Sequence, residues 1–287
     1  KSAAGAVTDT EKKLGALHVH VVRVTTGEFH VGDTVDLKVD GERRRATRAN
    51  HSATHLLHAA LKRVLGGHVS QKGSLVAPDR LRFDFSHPKA LTPDELEKVE
   101  QDVNRVIRQN SDVSTRLMPT DQAIKAGAEA LFGEKYGDEV RVLTMGEDVS
   151  AAKPYSVELC GGTHVRRLGD IGLFTILSES AVASGVRRIE ALTSEGARRY
   201  LSDQAEIARD AAAALKTGVA DLPARVAQLA EERRRLEREL ADARKALALA
   251  GPSNATANDK ARSVSGVNLV SRVVEGVAAK DLKGLAD

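Results

Sequence analysis

The sequence of 287 residues has one cysteine, no tryptophan, and only three tyrosines and five phenylalanines. A single cysteine excludes an internal disulfide and favours a reducing compartment, so metal binding or redox chemistry becomes the question for Cys160. Because aromatic side chains are scarce, recognition of nucleic-acid bases by stacking is disfavoured. No apolar run approaches the roughly 20 residues that span a bilayer, and no basic and apolar leader opens the chain. We therefore expect a cytoplasmic protein with no membrane partner.

Charge of one sign is not in large excess either. The formal net charge is +3, which permits a nucleic-acid partner without requiring one. Local arginine clusters offer contacts to phosphates, although a solvated helix or strand face is the commoner role of such clusters. These clusters lie at 43–45, 166–167, 187–188 and 233–235.

Four parts are predicted along the chain. Residues 1–45 are expected to form part of a small β-barrel, because the segment from Leu17 to Val24 is rich in valine. Val35, Leu37 and Val39 then alternate with polar residues as in a strand, and Asp40-Gly41 predicts a hairpin turn. The other parts are a domain of mixed helices and strands at 46–193, a helical linker at 194–250 and the start of a truncated C-terminal domain at 251–287. Since the chain begins at Lys1 without methionine, we expect a piece of a longer protein.

The second part is predicted to mix helices and strands, so the fold class is α+β. An apolar stripe predicts a helix from about His51 to Leu65, with Asn50 as its N-cap and Gly66-Gly67 as its end. A second helix should open at Thr92-Pro93 and run to about Gln109. Predicted strands lie at 74–76, 81–85, 113–118, 140–145 and 172–178.

The third part is predicted to be helical. Apolar residues from Leu222 to Leu247 follow alternating four-and-three steps, interrupted by Arg233, as in a coiled coil. Antiparallel pairing with a helix over Glu195 to Lys216 is one interpretation, and a helix that packs on the domain is the other. Beyond a stop at Gly251-Pro252, a strand is predicted at 267–277 and a helix at 279–287.

Two short motifs bear on chemistry. His51 and His55 stand four residues apart on a predicted helix, so their imidazoles lie on one face and are able to meet at one metal ion. The sequence Cys160-Gly161-Gly162-Thr163-His164 supplies a thiolate and a third imidazole around a sharply bending loop. Either motif alone is weak, but together they form a ligand set that Zn²⁺ accepts in tetrahedral geometry. We therefore predict Zn²⁺ bound by His51, His55, Cys160 and His164.

Five segments resemble a known family. HSATHLLHAAL, VSQKGSLV, LRFDFSH, ELCGGTHV and GVRRIEALT occur in this order and are similar to the editing domain of alanyl-tRNA synthetases. The resemblance is strong over about His18 to Leu201 and weak through the helical part. Related editing modules occur as free-standing proteins and in threonyl-tRNA synthetases, but the flanking segments favour the synthetase.

The resemblance implies a function and a set of site residues. It implies hydrolysis of Ser-tRNA(Ala) and Gly-tRNA(Ala) at the acceptor end, no aminoacylation by this chain, and a homodimer through the C-terminal region of the full protein. His51, His55, Cys160 and His164 match the zinc ligands, while Gln71 matches a pocket glutamine and joins Cys160 as a catalytic candidate. Candidate contacts to tRNA are Lys72, Gly161, Gly162, Thr163, Arg187 and Arg188.

The role of the metal stays open at this stage. Zinc-bound hydroxide is one mechanism, but four protein ligands are typical of a closed structural site, so orientation of the substrate is the other. A different class is a non-catalytic zinc module that binds tRNA or mediates dimerisation. A thiol hydrolase with Cys160 as nucleophile and His164 as base is disfavoured, because it leaves the histidine pair unexplained.

Overall fold

The computed structural model describes residues 3–15, 17–129, 137–148, 151–250 and 262–269. The chain divides into two compact units, Lys1–Ala197 and Arg198–Asp287. Among the described helices, none combines the length and the apolar character needed to cross a membrane.

The N-terminal segment forms one antiparallel hairpin of β1 (Ala4–Lys13) and β2 (Leu17–Thr26), and the strand predicted from Leu17 is confirmed. The strand predicted over 35–39 is wrong, because Val35, Leu37 and Val39 are exposed and lie outside any strand. Asp40 does not enter a hairpin turn. Its carboxylate accepts hydrogen bonds from the backbone N–H groups of Glu42 and Arg43 and so caps the next helix.

Helix α1 (Gly41–Leu65) carries the first predicted motif and starts earlier than predicted. Asn50 is therefore inside the helix and is not its N-cap. Its buried side chain donates to the backbone oxygen of Ala77 at 2.7 Å and accepts from the Thr193 hydroxyl at 2.7 Å. These tertiary partners, which are distant in sequence, replace the capping role that the local pattern indicated.

One face of α1 packs on a four-stranded antiparallel sheet. The strand order is β3 (Gln71–Val76), β4 (Leu81–Ser86), β9 (Val186–Thr193) and β8 (Phe174–Ala183). Helix α2 (Pro93–Ile107) begins with the predicted Thr92 cap and packs beside α1. The buried core between helices and sheet includes Leu56, Leu57, Leu61, Phe83, Phe85, Val99, Val103 and Ile189.

A second antiparallel sheet contacts α1 through its last strand. It consists of β5 (Ser114–Pro119), β6 (Glu139–Asp148) and β7 (Lys153–Leu159), with a short helix α3 (Thr120–Lys125) after β5. Leu143, Met145 and Tyr155 from this sheet join the same apolar core. A 3₁₀ turn at Leu168–Ile171 leads from the loop after β7 into β8. This arrangement confirms a mixed α+β fold and places that loop against α1.

The C-terminal part contains α4 (Ser194–Ala214), α5 (Leu222–Ala250) and a small hairpin of β10 (Arg262–Val264) and β11 (Val267–Leu269). Val226, Leu236, Leu240 and Leu247 of the apolar seam of α5 are exposed in this chain. The coiled-coil pairing of that seam therefore stays a prediction. The predicted helix stop at 251–254, the strand residues 270–277 and the helix at 279–287 lie outside the described residues.

Candidate metal centre

The four predicted ligands meet at one point between α1 and the loop that follows β7. His51 and His55 come from α1, whereas Cys160 and His164 come from the loop. One donor atom from each of the four residues lies within 4.8 Å of the others. The Cys160 Sγ lies 3.6 Å from His51 Nε2 and 3.3 Å from His164 Nε2. Two motifs that are far apart in the sequence therefore form one compact donor set.

Each of the three imidazoles is held through its Nδ1 atom. A metal-binding histidine commonly donates its other ring N–H to a carboxylate, a carbonyl or a hydroxyl, which fixes the tautomer and the ring orientation. The arrangement here leaves the three Nε2 atoms directed at the common point. The Nδ1 partners are the backbone oxygen of Thr163 for His51 (3.2 Å), Oε2 of Glu158 for His55 (2.5 Å) and the hydroxyl of Ser52 for His164 (3.3 Å).

His55 shows most directly that this point fits a cation. Its side chain is buried, and its Nε2 atom has no hydrogen-bond partner within the described residues. A buried ring nitrogen without a partner loses the hydration free energy that it has in water, and a metal ion would restore that interaction. Three imidazole nitrogens and a thiolate are donors that Zn²⁺ accepts. The residues present therefore fit the predicted ion.

The charges around the donor set also favour a thiolate. Burial raises the pKa of the Cys160 thiol, but hydrogen bonds with His164 and His51 and the positive charge of His55 lower that pKa to about 3. Burial lowers the pKa of His55, whereas the negative charges of Glu158 and Cys160 raise it to about 10. The ligand that binds a metal most strongly, the deprotonated sulfur, is therefore the favoured form of Cys160.

The loop needs glycine at one of its two central positions. A Cβ atom built on Gly162 would lie 2.1 Å from Cε1 and 2.7 Å from Nδ1 of His51, whereas a Cβ on Gly161 would meet nothing within 4 Å. Gly162 thus lets the loop backbone approach the His51 ring. Arg141 of β6 holds the loop from the other side, since its guanidinium donates to the backbone oxygens of Cys160 and Gly162.

A second polar cluster continues along the same face of α1. His58 and Lys62 follow His51 and His55 at helical spacing, and the His58 Nδ1 lies 3.3 Å from Oε1 of Glu158. Lys62 in turn binds Glu129 at 2.6 Å. Glu158 therefore lies between two buried histidines, so that one of its oxygens faces His55 and the other faces His58.

Two further candidates lie at the start of β3. Gln71 pairs in the sheet with Phe85, and its side-chain amide donates to the Ser74 hydroxyl at 3.4 Å. Lys72 is exposed on the same strand. Neither residue belongs to the donor set formed by the described residues. The catalytic role of Gln71 and the tRNA contact of Lys72 stay predictions.

The two predicted arginines of β9 are tied to carboxylates. Arg187 donates two hydrogen bonds to the buried carboxylate of Glu179, and Arg188 binds Asp84 at 2.7 and 2.8 Å. The hydrogen bonds to these carboxylates raise the pKa of both guanidinium groups. Their charge is largely compensated within the sheet, which is the alternative role that arginine clusters often have.

Sequence reasoning missed several residues that hold the site, namely Glu158, Ser52, Arg48 and Arg141. A signal for Glu158 was present, because Ser156 and Glu158 alternate along β7 and Cys160 follows the strand at the same spacing of two residues. The contact of Arg141 with the loop had no local signal, since it depends on how β6 pairs with β7.

Comparisons with known proteins place relatives beside this chain. Residues 140–190 match the family described as threonyl and alanyl tRNA synthetase second additional domain. The alanine–tRNA ligase of Parvibaculum lavamentivorans is 62% identical over 283 residues, which cover 98% of this chain and 32% of the relative. The alanine–tRNA ligase of Rhizorhabdus wittichii is 62% identical, and the match covers 98% of this chain and 32% of the relative. The alanine–tRNA ligase of Sphingopyxis alaskensis is 60% identical, and the match covers 100% of this chain and 33% of the relative. The chain thus spans about a third of the length of these curated relatives.

The matched region contains nearly all of β6, then β7, the ligand loop, β8 and the first part of β9. The match over residues 140–190 identifies in this chain the second additional domain of threonyl and alanyl tRNA synthetases. Within that class, the chain belongs to the alanyl-tRNA synthetase family, in the segment that carries the editing domain.

Proposed function

We propose that the chain hydrolyses the aminoacyl ester of mischarged tRNA(Ala), with Ser-tRNA(Ala) and Gly-tRNA(Ala) as substrates. The observation that carries this proposal is the convergence of three oriented imidazoles and a thiolate in a segment of the alanyl-tRNA synthetase family. Water adds to the ester carbonyl carbon, the bond from that carbon to the terminal ribose oxygen breaks, and the ribose oxygen takes a proton. The products are a free amino acid and uncharged tRNA.

A separate hydrolytic site compensates for the limited selectivity with which a binding pocket separates similar amino acids. Serine differs from alanine by one hydroxyl and glycine by one methyl group, and an apolar pocket separates such pairs by only about 10 to 200-fold. A site that hydrogen-bonds the serine hydroxyl leaves its own polar groups unpaired when alanine binds. This loss favours serine over alanine by about 10⁴-fold or more. Discrimination of serine therefore suits a second site, while this argument is weaker for glycine.

The donor set would hold Zn²⁺ through His51, His55, Cys160 and His164. When bound, this ion would be a Lewis acid able to polarise a carbonyl or bind the substrate's amino group. The protein's own contribution is to position these groups. Glu158, Ser52 and the Thr163 carbonyl fix the ring orientations, and Gly162 brings the loop to His51. These contacts organise the donor set before substrate arrives, so that its reorganisation cost is small.

A non-catalytic zinc module is the second candidate function. It is favoured by the number of ligands, because four protein donors satisfy the tetrahedral shell of a structural zinc site. In that role the ion would stabilise the domain, and the chain would bind tRNA without hydrolysing it.

Deacylation of purified Ser-tRNA(Ala) by the chain, next to Ala-tRNA(Ala), tests the proposal. Zinc content and melting temperature are measured on the same samples of the unmodified chain and the Cys160→Ala variant. We expect serine to be released selectively and release to be lost in a folded, zinc-depleted variant. Stoichiometric zinc without release of serine would instead support the non-catalytic module.

A further inference from the structure

A cleft of about 610 Å³ lies beside the ligand loop. Its lining includes Thr163 and His164 of the loop, together with Arg48 of α1, Arg141 of β6 and Arg166. Three of its side chains are therefore guanidinium groups, and two of these touch the loop directly. Arg48 Nε donates to the Thr163 hydroxyl at 2.9 Å, and Arg141 donates to the Cys160 carbonyl at 3.0 Å.

The contacts of these arginines leave their charge uncompensated. The hydrogen bonds of Arg48 and Arg141 end on a hydroxyl and on backbone carbonyls, all of which are neutral. Within the part of the chain that the structure describes, no carboxylate forms an ion pair with Arg48, Arg141 or Arg166. Asp112, which also lines the cleft, is bound to Arg167 at 3.0 Å.

The arginines of β9 make a useful contrast. Arg187 and Arg188 each bind a carboxylate of the same sheet through two hydrogen bonds, so they have little remaining attraction for an anion. Arg48 and Arg141 are partly buried, as Arg187 and Arg188 are, but their partners are neutral. Partly buried cations without a counter-charge raise the local potential, and this potential attracts an anion into the cleft.

We propose that this cleft binds a backbone phosphate near the 3′ end of the tRNA substrate, through Arg48, Arg141 and Arg166. This inference rests on the proposed function, because it assumes that the ester is presented at the donor set beside the cleft. A guanidinium matches phosphate geometry with two parallel N–H donors. An anion held there would lie close to two of the metal ligands, Cys160 and His164, because the arginines touch the loop that carries both. The cleft would thereby set how the acceptor end enters.

The probe is a single-stranded RNA oligonucleotide that ends in CCA and carries no amino acid. Its affinity for the whole chain is measured over a series of salt concentrations, for the unmodified chain and for Arg48→Gln, Arg166→Gln and the double variant. Arg80→Gln is the matched control, since Arg80 is an exposed arginine that pairs with Asp79 outside the cleft. Zinc content and melting temperature show that each variant is folded with its donor set intact.

We expect each cleft variant to weaken binding about tenfold or more, as expected for a charged hydrogen bond. The slope of log affinity against log salt should become shallower by about 0.7 for each phosphate that the variant no longer neutralises. Arg48→Lys, which keeps the charge, should recover part of the salt dependence. In deacylation of Ser-tRNA(Ala) by Arg166→Gln, whose side chain does not hold the ligand loop, KM should rise while kcat changes little.

The outcomes separate this inference from the proposed function. If the cleft variants match Arg80→Gln in affinity, salt slope and KM while the chain still releases serine, the cleft proposal is wrong and the hydrolase proposal stands. If the salt slope depends on Arg48 and Arg166 but serine is not released, the phosphate site is supported and the hydrolase proposal fails.

Discussion

At the scale of single residues, the two nitrogens of each imidazole ring have different roles in the donor set. The Nδ1 atoms of His51, His55 and His164 engage the protein, and this leaves the Nε2 atoms for an ion. Among the three Nδ1 partners only Glu158 is charged, and it is also buried. Burial raises the pKa of the Glu158 carboxyl, but the charge of His55 holds that pKa well below its usual range. Glu158 is therefore expected to act on the metal through His55.

Substitution of Glu158→Gln should weaken zinc binding about 10 to 100-fold, because loss of the carboxylate reduces the basicity and orientation of His55. The side chain keeps its shape, so the chain should remain folded. Competition with a chromophoric chelator measures the zinc affinity, and the visible spectrum of the Co²⁺-substituted chain reports the ligand geometry.

Glu100→Gln is the control for loss of a carboxylate, since Glu100 accepts hydrogen bonds from Thr175 and from the Ile176 backbone away from the donor set. Equal zinc affinities for Glu158→Gln and the unmodified chain would show that His55 does not need this partner.

Gly162→Ala should displace His51, because the new methyl group would lie 2.1 Å from the ring. Either the loop or the ring must move, so we expect at least a tenfold loss of zinc affinity, comparable to the loss of a group that hydrogen-bonds a ligating histidine. Zinc titration of the purified variant measures this effect. Gly161→Ala is a matched control in the same loop, and its added methyl group meets nothing within 4 Å. If both variants bind zinc equally well, the close approach at Gly162 does not matter.

At the scale of elements, one face of α1 packs in the core and the opposite face contributes side chains to the site. Leu56, Leu57 and Leu61 are fully buried in the core beside the four-stranded sheet, while His55 and His58 face β7 and the loop. A helix anchored by a large apolar face moves little when substrate or metal binds. The ligands from α1 are therefore held more rigidly than those from the loop.

A pair of histidines joins the end of α1 to the end of β4. His68 Nε2 and His87 Nδ1 lie 2.9 Å apart, so one ring donates a hydrogen bond to the other and the accepting nitrogen must lose this bond before it is protonated. Burial and then the charge of His68 lower the pKa of His87 from 6.5. The unfolded chain therefore binds more protons than the folded chain just below pH 6.5, and the free energy of unfolding falls as the pH falls through that range.

The His87→Gln variant should show a weaker fall in the free energy of unfolding below pH 6.5, since the group that resists protonation is gone. Urea denaturation at a series of pH values measures the slope. An unchanged slope in His87→Gln would exclude this pair as a source of acid sensitivity.

At the scale of the whole molecule, the fold of the first unit does not depend on the donor set for its core. The buried cluster of α1, α2 and the larger sheet consists mostly of aliphatic and phenylalanine side chains, with Met145 and Tyr155, and Cys160 is the one metal-ligand candidate in it among the described residues. Burial of this apolar surface is the main stabilising contribution.

Removal of zinc with a chelator should therefore leave the helical circular-dichroism signal intact. The melting temperature should fall by about 5–10 °C for zinc held at a hundred times its Kd, since binding to the folded state alone stabilises that state. Release of serine from Ser-tRNA(Ala) should stop. Loss of the helical signal on chelation would support the structural role of the ion instead, as in domains that fold only with metal.

Much of the molecule was determined by local patterns in the sequence. The apolar stripe predicted α1 and alternation predicted β5 and β6, because burial of one face imposes the period of each element. The cap at Thr92 and the proline at Pro93 predicted the start of α2. The proximity of the four candidate donors was also predictable, because few residue types bind Zn²⁺ and the chain has one cysteine.

Only the tertiary structure decided the rest. The extent of α1 and the buried role of Asn50 depend on Asp40 as a cap and on partners at Ala77 and Thr193, which are distant in sequence. The contact of Glu158 with His55 also joins distant segments. So do the contacts of Arg48 and Arg141 with the ligand loop, and neither arginine has a carboxylate partner among the described residues. Whether an arginine meets a carboxylate or a neutral carbonyl is set by which strands become neighbours, and local sequence patterns do not encode that pairing of distant segments.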